Sequence, residues 1–222
     1  MTIAFDFDNT LARSTRYHRF GWEKVRLELK IKETLDDLLP YAPDLKERFD
    51  SYRRIENGFL INSKMICKIS AYFKSDNKKL LVKKLMSLKE SFTISEIFSE
   101  CLSESLKTLA VNLIPAVDIM KRNGWRLGVI SSSKETIISS LLQKCNLLDA
   151  FSFIAGEELM TNSRGVLLDK PNPYVARKIR SKIDYYIGDN VEIDKEFADN
   201  CKTKFILSDY KTDFLELVNK FK

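Results

Sequence analysis

Cysteine and histidine are scarce in this sequence, and their scarcity excludes several kinds of site. The chain of 222 residues contains four cysteines and a single histidine, His18. Cys67, Cys101, Cys145 and Cys201 are far apart and form no C-x-x-C motif, and one histidine cannot complete a zinc site with them. We therefore expect reduced thiols that serve packing, as in cytoplasmic proteins.

Long apolar runs and biased segments are also missing. No apolar run approaches the length of about 18 residues that a membrane-spanning helix needs. Two aspartates lie within the first eight residues, which predicts that no signal peptide is present. There is no internal repeat or low-complexity tract, and the content of 44% apolar and 31% charged residues is typical of an ordinary soluble protein without a membrane partner.

The charge balance is mildly basic. A net charge of +6 suits an anionic substrate or a nucleic-acid surface. Lysines and arginines are spread along the whole chain, so a nucleic-acid partner is an alternative that the composition does not favour. The length allows one sizeable core and a smaller second domain.

An apolar segment at the start of the chain leads directly into two aspartates. Residues 2–6 are predicted to form a buried strand, and Asp6 and Asp8 would then point to the same side. Two carboxylates held side by side repel each other unless they share a proton or bind a hard cation such as Mg²⁺. Taken alone, the segment fits equally well a strand that runs into an acidic turn.

Residues 14 to about 92 have a helical pattern and no convincing strand. His18, Trp22, Val25 and Leu29 recur on one face of a helix predicted over residues 13–32. Further helices are predicted over residues 35–39, 44–55, 59–74, 77–89 and 95–111. The pattern therefore predicts an all-helical domain at 14–92.

Strands and helices alternate in the remainder of the chain. Strands are predicted over residues 125–130, 151–155, 183–187 and 204–207, and helices over residues 115–123, 135–144, 171–181 and 213–221. Such alternation implies a parallel sheet. The first strand has no partner in the helical region, so it must pair with strands that come much later. We predict an α/β core formed by residues 1–13 and 93–222 and interrupted by the helical domain.

Polar residues follow the predicted strands, and the carboxyl ends of parallel strands share the edge where ligands bind. The residues are Asp6 and Asp8 after the first strand, Ser131 after the second, Lys170 after the third, and Asp189 and Asp194 after the fourth. This set fits phosphoryl transfer. One carboxylate can be a covalent nucleophile, a second can move a proton, further acids can hold Mg²⁺, and the hydroxyl and lysine can bind phosphoryl oxygens.

Four segments of the chain resemble, in order, the four motifs of the haloacid dehalogenase superfamily. They are Asp6-Phe-Asp8-Asn-Thr10-Leu11, Val129-Ile-Ser131-Ser132, Lys170-Pro-Asn-Pro173 and Gly188-Asp189-x-x-x-x-Asp194. The insertion after the first motif resembles the helical cap of the branch that contains phosphoglycolate phosphatase, pyrimidine nucleotidases and β-phosphoglucomutase. The resemblance implies a Rossmann-like core and a cap that closes over the site and selects the leaving group.

The resemblance also implies a role for each matched residue. Asp6 would be the nucleophile and Asp8 the general acid and base, while Ser131 and Lys170 would bind the phosphoryl group. Asp6, Asp8, Asp189 and Asp194 would form the Mg²⁺ site, with Asp8 contributing its backbone carbonyl and Asp194 supporting the metal or the lysine. An acid at position 8 favours phosphoester chemistry over dehalogenation.

Two features resemble β-phosphoglucomutase and add His18 and Ser132 as candidate substrate-binding residues. They are Arg16-Tyr17-His18 with Trp22, and Ser131-Ser132-Ser133-Lys134. Packing against Trp22 is the alternative for His18. The Gly188-Asp189-Asn190 sequence has the phosphatase form, and residues 45–60 contain no recognisable mutase specificity loop.

The favoured function is therefore a Mg²⁺-dependent phosphatase that acts on a small phosphorylated metabolite, such as a sugar phosphate, phosphoglycolate or a nucleotide. Three alternatives stay open: a phosphosugar mutase, a nucleic-acid end phosphatase that uses the basic edge of the helix at 77–89, and an inactive binding protein. Within the cap, Arg53, Arg54, Asn57 and Lys64 are candidates for contact with the substrate, and exposure to solvent at the surface is the favoured alternative for each.

Overall fold

The computed structural model describes residues 1–30, 72–74, 78–109, 113–179, 181–219 and 221. The helices predicted over residues 35–39 and 44–55, most of the one over 59–74, and Arg53, Arg54, Asn57, Lys64 and Cys67 lie outside this part of the chain. The chain divides into two compact units, which we call the core unit (residues 1–16 and 97–222) and the helical unit (residues 17–96). That the helical unit is a cap remains a prediction.

Five parallel strands form the sheet of the core unit. They are β1 (Thr2–Phe5), β2 (Arg126–Ile130), β3 (Phe153–Ala155), β4 (Tyr185–Gly188) and β5 (Lys204–Leu207), in the spatial order β3-β2-β1-β4-β5. Ile3 of β1 pairs with Leu127 on one side and with Tyr185 on the other. The predicted α/β class and the late partners of the first strand are confirmed. All four residues of β1 are buried because this strand lies at the centre of the sheet.

Helices account for most of the remaining described residues. They are α1 (Thr15–Glu28), α2 (Lys78–Ser99), α3 (Leu102–Thr108), α4 (Leu113–Arg122), α5 (Glu135–Lys144), α6 (Glu157–Met160), α7 (Tyr174–Ile179), α8 (Ile193–Asn200) and α9 (Phe214–Asn219), with a short 3-10 helix at Leu148–Ala150. No helix in the described ranges combines the length and the apolar character that crossing a membrane requires.

The prediction of separate helices over 77–89 and 95–111 is wrong, because α2 continues to Ser99 and α3 ends at Thr108. The stretch between the two predicted helices contains no glycine or proline that would end a helix. Thr93 lies within α2, where its hydroxyl donates to the Lys89 carbonyl at 2.9 Å. Helices α6 and α8 were not predicted.

An apolar cluster holds the described part of the helical unit together. Trp22, Val25 and Leu29 of α1 pack with Leu85 of α2, as the spacing of the first three predicts. Gly21 lets the two helices approach closely, because a Cβ atom there would lie 2.2 Å from the Thr93 Oγ1 atom.

The fourth residue predicted for this face, His18, has a polar contact instead. Its side chain is half-buried, and its Nδ1 atom lies 2.7 Å from the Nζ atom of the buried Lys89. The same Nζ atom lies 5.8 Å from the centre of the Trp22 ring. The His18 side chain is therefore oriented by a lysine.

Candidate active site

The chain turns sharply as soon as β1 ends. The Asp6 amide donates to the Ile187 carbonyl at 2.7 Å, which extends the pairing with β4 by one residue. The Phe7 carbonyl then accepts from the Leu11 amide at 3.0 Å, and Asn9 adopts a left-handed conformation with φ 63°. This turn places Asp6 at the carboxyl edge of the sheet.

A buried lysine joins residues from three separate segments. The Lys170 Nζ atom lies 2.6 Å from Asp6 Oδ1, 2.6 Å from Asp194 Oδ1 and 2.9 Å from the Tyr186 hydroxyl. The side chains of Lys170, Asp6 and Asp194 are at most 7% exposed. Charges buried to this degree are tolerated because each is paired and hydrogen-bonded.

The carboxylates around Lys170 carry more negative charge than one lysine can balance, which favours the binding of a further positive charge. Burial raises the pKa of Asp6 well above its ordinary value, the Lys170 ammonium opposes this rise, and Asp194 and Asp8 add to it. Burial and Asp194 likewise raise the pKa of Asp189. Burial also disfavours the charged form of Lys170, but its anionic neighbours keep its pKa well above the ordinary value. One lysine thus faces several carboxylates that repel one another.

Three of these carboxylates are close enough to share a metal ion. One oxygen from each of Asp6, Asp189 and Asp194 lies within 4.8 Å of the other two. The Thr10 hydroxyl lies 3.3 Å both from Asp6 Oδ2 and from Asp189 Oδ1 and so links two of them. An oxygen-only set of this kind fits a hard cation such as Mg²⁺. The Asp8 carboxylate does not belong to this group.

Hydroxyl groups surround the Asp8 carboxylate. Asp8 Oδ2 accepts from Ser133 Oγ at 2.5 Å and from Ser131 Oγ at 3.3 Å, and Asp8 Oδ1 accepts from Ser14 Oγ. The sequence singles out Ser131 but not Ser14 or Ser133. The run of serines after β2 was the sequence signal that could have identified Ser133. Which of these serines faces Asp8 depends on the conformation of the loop.

Ser132 points to a different partner from its two neighbours. Its hydroxyl donates to Asp169 Oδ1 at 2.5 Å, and the same oxygen accepts from the Lys170 amide at 2.7 Å. Asp169 is buried and was not singled out from the sequence. Ser132 therefore connects the loop after β2 with the loop that carries Lys170, while His18 belongs to the helical unit described above.

Glycine is required at the end of β4. A Cβ atom on Gly188 would lie 2.4 Å from Asp194 Oδ2 and 2.6 Å from Asp194 Cγ. The Asn190 side chain accepts from the Glu192 and Ile193 amides at the start of α8, and the Asn190 amide donates to Asp194 Oδ2 at 3.1 Å. The Gly188-Asp189-Asn190 turn thus brings Asp194 back against the strand, with both of its carboxylate oxygens hydrogen-bonded.

Comparison with known proteins gives a family match and several similar folds. A family model described as a haloacid dehalogenase-like hydrolase matches residues 1–201. A CbbY variant from Rhodobacter sphaeroides, solved with xylulose-(1,5)bisphosphate, is 16% identical with a TM-score of 0.63, and the match covers 94% of this chain and 85% of that one. The HAD-hydrolase YfnB from Bacillus subtilis, solved with magnesium, is 15% identical with a TM-score of 0.55, covering 93% and 87%.

A third solved structure covers nearly the whole of both chains. β-Phosphoglucomutase from Clostridium difficile is 14% identical with a TM-score of 0.58, and the match covers 99% of this chain and 97% of that one. No curated protein matches the sequence. At these identities the solved structures show a shared fold.

Proposed function

The chain belongs to the haloacid dehalogenase-like hydrolases, and from this membership we propose that it is a Mg²⁺-dependent phosphomonoesterase that works through an aspartyl-phosphate. The observation that carries the proposal is the buried ion pair between Asp6 and Lys170, next to Asp189 and Asp194. This arrangement offers a carboxylate nucleophile, a fixed positive charge and a set of oxygen ligands within one small volume.

The proposed metal site uses the acids at the carboxyl edge of the sheet. Asp6 and Asp189 would hold Mg²⁺ together with the Asp8 backbone carbonyl, as the family resemblance implies. Asp194 would support the site, because its two oxygens already accept from Lys170 and from the Asn190 amide. When bound, Mg²⁺ would reduce the repulsion between the carboxylate and the phosphate. The magnesium in the similarly folded YfnB supports this proposal.

Asp6 and Asp8 would divide the first half of the reaction between them. A carboxylate oxygen of Asp6 attacks phosphorus, and the bond from phosphorus to the ester oxygen of the substrate breaks. Asp8, protonated at the start, gives its proton to the departing oxygen. Ser131 and Lys170 bind the phosphoryl oxygens while negative charge is redistributed among those oxygens during the transfer.

Water completes the reaction in the second half. The Asp8 carboxylate takes a proton from the water as its oxygen attacks phosphorus, and the bond from phosphorus to Asp6 breaks. Inorganic phosphate leaves, and both aspartates return to their starting states. The hydroxyls of Ser14, Ser131 and Ser133 support this role, because they hold the Asp8 carboxylate in one orientation, as an acceptor.

The proposed substrates are small phosphorylated metabolites. A similarly folded CbbY variant was solved with a sugar bisphosphate, which supports placing sugar phosphates first among the candidates. Phosphoglycolate and nucleotides follow. We place the choice among them in the helical unit, acting as a cap.

Phosphate release from a panel of substrates tests the proposal. The purified protein is incubated with Mg²⁺ and, separately, sugar phosphates, phosphoglycolate, nucleotides, a phosphorylated oligonucleotide and an aryl phosphate, with Asp6→Asn as the blank. We expect release that stops with EDTA, returns with Mg²⁺ and is absent from the blank. No release from any compound would contradict the proposal and favour an inactive binding protein. Residual turnover by Asp6→Asn above roughly a few per cent would contradict the nucleophile assignment.

A phosphosugar mutase is the second candidate, and the contact between His18 and Lys89 favours it. His18 is oriented by a lysine instead of lying in the apolar cluster, which suits a residue that binds substrate. A mutase would convert a hexose 1-phosphate to the 6-phosphate when primed with the bisphosphate, with little release of free phosphate. Phosphorus NMR of such a mixture distinguishes the two reactions.

A further inference from the structure

Tyr186 has a place in the site that no motif explains. It lies on β4, two residues before Gly188, and is fully buried. Its ring packs edge-on against Phe197 of α8 at 4.9 Å between ring centres. Its hydroxyl reaches the ammonium group of Lys170 at 2.9 Å.

The Lys170 ammonium has three N–H donors, and the structure provides three acceptors for them. Asp6 Oδ1 and Asp194 Oδ1 accept at 2.6 Å, and the Tyr186 oxygen accepts at 2.9 Å. Two acceptors are carboxylates and the third is neutral. The Tyr186 hydroxyl therefore completes the set and fixes the rotation of the ammonium group.

The Tyr186 hydroxyl is itself held in one direction. Because Lys170 can only donate, the phenol oxygen accepts from it and keeps its own proton for another partner. The Ile130 carbonyl, at the end of β2, accepts a hydrogen bond from the Tyr186 hydroxyl, with 3.0 Å between the two oxygens. Asp194 Oδ1 lies 3.4 Å from the phenol oxygen, and the single phenol hydrogen is then directed to Ile130 instead. A directed chain runs from the ammonium through the phenol to the backbone of the central sheet.

We propose that Tyr186 is a positioning residue for phosphoryl transfer, one that keeps Lys170 in place while the charge on Asp6 changes; this rests on the proposed function. When Asp6 takes up the phosphoryl group, its carboxylate becomes an uncharged acyl group that binds the ammonium more weakly, and the negative charge lies on the phosphoryl oxygens. Tyr186 and Asp194 still hold the other two N–H groups. The third N–H then follows the negative charge to a phosphoryl oxygen without displacement of the lysine.

Tyr186→Phe tests this role, and Tyr185→Phe is the matched control. Both substitutions remove one phenol oxygen from β4, but the Tyr185 oxygen lies near the exposed Lys204, at 3.4 Å from its Nζ atom. For Tyr186→Phe we expect kcat to fall about tenfold, the size expected for one hydrogen bond to a charged group, with KM changed less than about twofold. Tyr185→Phe should match the wild type in both constants.

A second readout separates positioning from simple structural support. Orthovanadate mimics the phosphoryl group during transfer, whereas inorganic phosphate mimics the bound product. With Mg²⁺ present, Tyr186→Phe should weaken orthovanadate binding about tenfold and phosphate binding less than about twofold. Equal weakening of both ligands, or a kcat per folded molecule within about twofold of wild type, would overturn the proposal.

The outcomes also separate this proposal from the proposed function. If the wild-type protein turns over no phosphomonoester, the proposed function fails; if it is active and Tyr186→Phe equals it, only the role of Tyr186 fails. Should Tyr186→Phe not fold, proton NMR of the wild type provides the test. We expect a slowly exchanging Tyr186 hydroxyl proton with a cross-peak to the Lys170 side chain, and the absence of that signal would overturn the proposal.

Discussion

Lys170 in the core unit and Lys89 in the helical unit are both buried, at 5% and 3% exposure, and each contacts side chains of a different type. The Lys170 ammonium contacts the carboxylates of Asp6 and Asp194 and one phenol. The Lys89 ammonium contacts the His18 imidazole and lies over the Trp22 ring. The contacts of Lys170 include two carboxylates, whereas the imidazole and the indole contact the Lys89 ammonium as a neutral ring nitrogen and an aromatic face.

The difference shows that burial of a lysine does not by itself indicate chemistry. In the core unit the contacts fix an ammonium beside a proposed nucleophile, where a small displacement would change the barrier. In the helical unit the same kind of side chain orients a histidine and covers an aromatic ring. We therefore expect substitutions around Lys170 to act on kcat and substitutions around Lys89 to act on KM.

Lys170→Met should have the largest effect. It removes the charge next to Asp6, and we expect kcat to fall on the order of a hundredfold to a thousandfold. It also leaves two buried carboxylates without their cation, which should lower the free energy of unfolding by about 3–5 kcal/mol in urea titrations. Steady-state kinetics on folded protein measures the first effect. An equal loss of kcat in Lys89→Met would remove the distinction between the two lysines.

Gly188→Ala sharpens the comparison without touching a charged group. The new methyl would collide with the Asp194 carboxylate, 2.4 Å away, and displace one partner of Lys170. We expect kcat to fall about tenfold to a hundredfold. Gly165→Ala is the control for a glycine-to-alanine change away from the site: a Cβ atom there meets nothing within 4 Å, although its φ of 73° disfavours alanine. Comparable losses of activity in both variants would show that a general loss of stability, not the displacement of Asp194, is responsible.

Lys89→Met should have a smaller effect of a different type. If His18 contacts the substrate, the loss of its lysine partner should raise KM about threefold to tenfold and leave kcat within about twofold. Lys83→Met, on an exposed position of the same helix, provides the control. Kinetics with the best substrate of the panel gives both constants. An unchanged KM would indicate that the pair between His18 and Lys89 serves packing alone.

The coupling between His18 and Lys89 should be the smallest effect. A double-mutant cycle with His18→Ala and Lys89→Met isolates it, and we expect about 0.5–1.5 kcal/mol in the free energy of unfolding. A coupling near zero would mean that the 2.7 Å contact adds nothing to stability. A value approaching that of a buried ion pair would make the two lysines alike.

Part of the fold could be predicted because local patterns determine it. The apolar segment at residues 2–6 had no partner nearby, and its pairing with late strands followed from parallel topology alone. The break between two helices was predicted wrongly because Thr93, Ser95 and Glu96 resemble a helix boundary, while the packing that keeps α2 helical through them, such as Thr93 against Gly21, is visible only in three dimensions.

The site divides in the same way. Asp6 comes directly after β1, and Lys170 and Asp194 lie in the segments that follow β3 and β4, so the topology of the sheet predicts that they meet at one edge. The site contacts of Tyr186, Asp169 and Ser133 could not be predicted. These contacts depend on the direction in which a side chain points from its strand or loop. Tyr186 in particular reads as an ordinary buried strand residue until its hydroxyl is seen beside Lys170.

The central position of β1 sets the order in which the protein can form during translation. β1 is synthesised before every other strand, yet its first partner, β2, begins at Arg126 and its second, β4, ends at Gly188. At about 5–20 residues per second, residues 6–125 take roughly 6–24 s to emerge from the ribosome. Throughout that interval β1 is an apolar segment whose partner strands β2 and β4 have not been made, whereas the helical unit, contiguous in sequence, has all of its residues before β2 begins.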